Sequence, residues 1–171
     1  MWASASDVIT AYHDGSIPVA VADDLVYALA RDNECEHIRE TLLSSPELIR
    51  TLAKRAVVSK DADAKWQITI SVAEAQLPDA ADLIRPFLTD PDEYVRRRSL
   101  MAFAPFSPKE AEELAIKNLD DKFEYTRIAA LHVLHTVRSG YLEAGLDQLA
   151  SDPNKYVRQN VEELRASQRE T

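Results

Sequence analysis

Between residues 122 and 138 the apolar positions Ile128, Ala129, Ala130, Leu131, Val133, Leu134 and Val137 spread over most of a helical circumference. A helix of that pattern needs neighbours on more than one side. Between 154 and 167 the apolar positions reduce to a single stripe, Val157, Val161 and Leu164, with Gln159, Glu162, Glu163, Arg165 and Gln168 elsewhere. The first pattern predicts an inner helix of a stack and the second a terminal, capping helix.

Compared with itself, the chain shows why these two helices correspond. DPDEYVR (90–96), DKFEYTR (121–127) and DPNKYVR (152–158) align without gaps, and Asp, Tyr and Arg each recur every 31 residues. A weaker copy puts Ser59 at the Asp position and Lys65 at the Arg position, and Arg39 in EHIRETLL is a degenerate copy at a spacing of 26. Each copy carries helix-start chemistry. Asp90 reads as an N-cap with Pro91 at the first helical position and Glu93 closing a capping box, and Asp121 with Glu124 repeats the arrangement. Asp152 and Pro153 keep the cap but have Lys155 in place of the Glu. A second set of starts alternates with these, at Ser45-Pro46, Asp79, Ser107-Pro108 and after Gly140.

The resulting expectation is one domain over 1–171 made of about five helical hairpins: degenerate helices at 1–45, then hairpins at 46–78, 79–106, 107–138 and 139–167. A hairpin of about 31 residues cannot bury its apolar faces alone, so copies must stack. Composition agrees. Among 171 residues there are only three glycines, Gly15, Gly140 and Gly145, and the chain is rich in the helix formers Ala, Leu, Glu and Arg. That predicts an all-α fold and excludes the glycine-rich phosphate loops of nucleotide-binding proteins.

DLIRPFLTDPDEYVRRRSLMAFA and its two echoes resemble the HEAT repeat, in its short bacterial, PBS-lyase-type form of about thirty residues. Pro86 matches the proline of the first helix, and Asp90, Val95 and Arg96 match the turn. Thr126 departs from the pattern, where the family has Val. The resemblance implies an α-solenoid, armadillo-like in architecture, whose second helices line a concave face used for binding.

Charge narrows the partners. With 20 Lys+Arg against 29 Asp+Glu the net charge is −9, which disfavours nucleic acid and anionic membrane surfaces. MWASASDVIT lacks the features of a signal peptide, and no run approaches the ~18 apolar residues of a membrane span. The single cysteine, Cys35, excludes an internal disulfide, and a cytoplasmic location is expected.

Candidate chemistry is sparse. Arg96, Arg127 and Arg158 read as a structural ladder with Asp90, Asp121 and Asp152 of adjoining repeats, in preference to an anion-binding row. Tyr94, Tyr125 and Tyr156 are expected to pack between repeats. His132 and His135 lie three apart on one helix, but no further ligands complete a zinc site, so an exposed helix face is the reading and no metal is expected. Cys35 sits among acids without a cation to lower its pKa, and Asp23-Asp24, Asp120-Asp121 and Glu162-Glu163 read as solvated surface. No catalytic residue and no cofactor is expected.

The 31-residue register brings Trp66, Arg97, Ile128 and Gln159 into one row and Ile70, Met101, His132 and Glu163 into the next, followed by Ala73, Ala104, His135 and Ala166. A face of Trp66, Arg97, Met101, His132, His135, Gln159 and Glu163 has the composition of a recognition surface. The alternative is that Trp66 and Met101 fill gaps between repeats. The expected function is a non-enzymatic module that binds another protein on the concave face, such as an inhibitor or adaptor of a basic protein. The competing reading is an enzyme on a HEAT-like scaffold, similar to an alkylated-base DNA glycosylase or a bilin lyase. For a glycosylase, Arg96, Arg97 and Arg98 are the only dense basic cluster.

Overall fold

The computed structural model describes residues 2–169, with side chains from residue 5 onward. All regular structure among them is helical: α1 (Trp2–Ala11), α2 (Val19–Arg31), α3 (His37–Leu42), α4 (Pro46–Ala56), α5 (Ala62–Glu74), α6 (Ala80–Ile84), α7 (Glu93–Phe103), α8 (Pro108–Asn118), α9 (Glu124–Thr136), α10 (Leu142–Leu149) and α11 (Lys155–Arg169). The fold is all-α. No helix among the described residues is long and apolar enough to cross a membrane.

Two helices start on a proline. Pro46 and Pro108 open α4 and α8 at their first positions, where the missing N–H has no intrahelical acceptor to lose. Inside a helix the same residue is disruptive. Pro86 cuts α6 to five residues, and Arg85–Thr89 continue as a tighter 3₁₀ turn.

The chain packs as two compact units, Met1–Ala102 and Phe103–Thr171, where the sequence reads as one array. In the first, α5 packs against α2, α3, α4 and α6 around Leu29, Leu48, Leu52 and Ile68. Among its buried polar groups, the Gln67 amide donates to the Leu29 carbonyl at 2.7 Å and Ser71 Oγ donates to the Gln67 carbonyl at 2.9 Å, whereas Gln67 Oε1 and Ser99 Oγ have no hydrogen-bond partner among the described residues. In the second unit α9 packs against α8, α10 and α11 around Leu131, Leu134 and Leu146. Gly145 lets α10 approach closely, since a Cβ there would lie 3.2 Å from Leu119 and 3.3 Å from Leu131.

The helix starts of the 31-residue motif differ from the expected capping box. α7, α9 and α11 begin three residues after Asp90, Asp121 and Asp152. The aspartates instead form Asx turns, accepting the N–H two residues on: Asp92 at 2.9 Å, Phe123 at 2.8 Å and Asn154 at 2.8 Å. Proline at 91 and 153 favours this, because the residue before it is pushed out of the helical region, and Asp90 has ψ 143. In the first and third motifs the caps therefore fall two residues later, whereas α9 starts after Phe123 without a side-chain cap. Asp92 accepts from the Val95 N–H at 3.1 Å and Asn154 from the Tyr156 N–H at 2.8 Å.

That shift also decides which residue points inward. Val95, Thr126 and Val157 take the buried positions, so the neighbouring Tyr94, Tyr125 and Tyr156 face solvent, 39%, 48% and 47% exposed. Tyr94 nevertheless packs edge-on against Trp66 of the preceding motif, so its ring is both displayed at the helix start and in contact between repeats.

The Asp and Arg of each motif are tied through the main chain. Arg96, Arg127 and Arg158 donate from Nη1 to the carbonyls of Asp90, Asp121 and Asp152 at 2.7, 2.7 and 2.6 Å. Two rungs join successive motifs within a unit. Lys65 Nζ donates to Asp90 Oδ2 at 2.6 Å, and Arg127 donates from Nε and Nη2 to the Asp152 carboxylate at 2.7 and 2.8 Å.

Candidate interaction surface

On α7 the buried positions Val95, Ser99 and Leu100 leave a stripe of Tyr94, Arg97 and Met101, spaced i, i+3, i+7, in which the two ends are exposed and Arg97 is half-buried. Tyr94 and Met101 are 39% and 40% exposed. Trp66 on α5 is not part of this open surface. It is 5% exposed, with its indole N–H donating to Asp63 Oδ1 at 3.1 Å. The cause is the following motif: the Tyr94 ring stands edge-on to the indole, centroids 5.7 Å apart at 81°. The register puts Trp66 in the same row as Arg97, but it cannot say that the next motif's tyrosine will cover it.

Arginines complete the cluster. The Arg97 guanidinium lies 4.7 Å from the Tyr94 ring centre, and its Nε donates to Glu93 Oε1 at 3.0 Å. Arg98, which the register does not single out, lies 5.3 Å from the Trp66 ring and 5.9 Å from the Tyr94 ring. Beside it a shallow cleft of about 220 Å³ is lined by Ile70, Ala73, Glu74, Arg98, Met101 and Ala102.

In the second unit the corresponding stripe of α9 is Tyr125, Ile128, His132 and His135, facing outward to differing degrees. His132 is half-buried and bonds to α11, with Nε2 2.8 Å from Asn160 Oδ1. Asn160 Nδ2 donates to the Tyr156 carbonyl at 2.9 Å, which leaves its Oδ1 as an acceptor and assigns the proton to His132 Nε2. His135 is exposed. On α11 Gln159 and Glu163 are exposed and bond to each other at 2.9 Å. Buried Val157, Val161 and Leu164 hold α11 in place beneath them.

The seven residues expected on one face therefore separate by environment. Met101 is exposed and Arg97 half-buried in the first unit, Trp66 is buried against Tyr94 and Arg98, and His132, His135, Gln159 and Glu163 belong to the second unit. The ladder residues sit at the turns and are occupied by one another. Searched against protein-family models and curated proteins, the chain matches none.

Proposed function

We propose that this chain is a non-enzymatic protein-interaction module whose hairpins stack as a HEAT-like α-solenoid, with the second helices α5, α7, α9 and α11 lining the binding face. The observation that carries the reading is the outward stripe of α7. Tyr94 and Met101 put an exposed aromatic ring and thioether on one helix face, with the half-buried Arg97 guanidinium against the Tyr94 ring between them, the residue types that anchor protein interfaces. An unused face would carry mainly Lys and Glu. The net charge of −9 favours a partner of opposite sign, since complementary fields speed encounter. An inhibitor or adaptor of a basic protein in the cytoplasm fits this profile.

The test is affinity capture from the source cell with the wild-type chain and with Met101→Glu and Arg97→Glu variants, each verified as folded by circular dichroism. The expected result is one partner retained in stoichiometric amount by the wild type, weakened roughly tenfold or more by each variant and by raised salt. Equal retention by all three chains would contradict the reading.

A further inference from the structure

We propose that the cleft between α5 and α7 receives the C-terminal carboxylate of a partner chain, with Arg98 as its receptor and Ile70 and Met101 as walls for the last, apolar side chain. The inference rests on the interaction-module reading and narrows it to one ligand chemistry.

Arg98 is the exception among the arginines. Its Nε is buried without a hydrogen-bond partner, and its guanidinium meets two aromatic rings but no oxygen of the described residues. The other half-buried arginines all reach an oxygen, on carboxylates as Arg39 and Arg127 do or on carbonyls as Arg96 and Arg158 do. In a chain with 29 acids and 20 bases, partners for arginine are in excess. A guanidinium left without one retains donors that water or a ligand must satisfy. Contact with Trp66 and Tyr94 holds the planar group in place while consuming none of those donors, and the fork geometry of the guanidinium matches a carboxylate.

The surroundings select the kind of anion. Ile70, Ala73 and Met101 line the same cleft, so the charge must arrive with apolar surface beside it. The space is about 220 Å³, small enough to favour a ligand that carries both on one residue, as an apolar C-terminal residue does. Glu74, also on the rim, is paired with Arg39. That carboxylate and the net charge of −9 oppose a second anionic group, which disfavours nucleic acid and polyacidic segments.

The experiment is a titration of the full chain, labelled with ¹⁵N, by N-acetyl-leucine, with N-acetyl-leucinamide as the uncharged control. The readouts are the Trp66 indole N–H and Arg98 Nε–H signals. N-acetyl-leucine is expected to shift both saturably with a dissociation constant of roughly 1–10 mM, the range open to so small a molecule, and the amide to bind at least about tenfold more weakly. Arg98→Gln, with its backbone spectrum otherwise unchanged, is expected to abolish saturation of the Trp66 shift. Should Arg98→Gln not fold, Met101→Glu places a repelling carboxylate on the exposed wall and is expected to do the same. The proposal is overturned by equal binding of the amide, by binding that survives both variants, or by no saturable shift. It is equally overturned if inorganic phosphate or the α-amide of N-acetyl-glutamate binds in place of N-acetyl-leucine. No partner is present in this titration, so its failure leaves the capture experiment standing, and failure of capture leaves the titration interpretable.

Discussion

Asp152 receives hydrogen bonds from Arg127 Nε and Nη2 and from the Asn154 N–H. Burial would push its carboxyl up, but the guanidinium and the backbone donor hold it below its ordinary value of 3.8. Asp79, held by Arg50, is also lowered. Both groups bind protons less readily folded than unfolded. The stability they supply is therefore complete above about pH 3.8 and is lost as the pH falls through their folded values. Removing one member of the Arg127–Asp152 pair leaves the other without its partner, so Arg127→Ala is expected to cost about 3–5 kcal/mol in urea unfolding at pH 7. Asp152→Asn is expected to flatten the loss of stability between pH 4 and pH 2, measured the same way. A variant as stable as the wild type would show that the rung is ornamental. At this scale the sequence is informative about pairing, because Asp, Arg and the substitute Lys65 recur in register. It is silent about exposure at Tyr94, since Tyr and the adjacent Val95 are both plausible core residues. A single residue of offset in the helix start decides which of them turns inward.

Helix ends show the same limit one level up. Gly140 reads as the break before α10, yet a Cβ there would meet nothing within 4 Å and its φ is not in the left-handed region. The turn is made two residues earlier by Arg138, at φ 54. The Ser139 N–H donates to the Leu134 carbonyl at 2.9 Å and the Arg138 N–H to the His135 carbonyl at 3.1 Å, the paired bonds of a Schellman motif. A non-glycine residue at that position is strained by about 1–2 kcal/mol. Arg138→Gly is accordingly expected to stabilise the chain by about 1 kcal/mol, less the entropy cost of a new glycine. Gly140→Ala is expected to change stability by no more than about 0.5 kcal/mol in either direction. Thermal unfolding of the two variants checks both, and a larger loss on Gly140→Ala than gain on Arg138→Gly would reverse the assignment. Helix existence and order were readable from proline, serine and apolar periodicity. The true caps were not, because Asp followed by Pro specifies either an N-cap or an Asx turn, and only the ψ of Asp90 separates them.

For the molecule as a whole, the all-α class follows from composition and the 31-residue period, and the two compact units do not, since the period continues unchanged through Ala102 and Phe103. The negative charge is partly architectural. Asp90, Asp121 and Asp152 serve turns, and Asp90 and Asp152 are matched by Lys65 and Arg127, so less of the −9 is available to attract a partner than the total suggests. On the proposed reading, local chemistry on the second helices then carries more of the recognition. Hydrogen–deuterium exchange of the captured complex against the free chain tests this most directly. The expected result is slowed exchange in α5, α7, α9 and α11, strongest around Tyr94–Met101, with α4, α8 and α10 unchanged. Protection confined to α4, α8 and α10, or no difference on binding, would contradict the account.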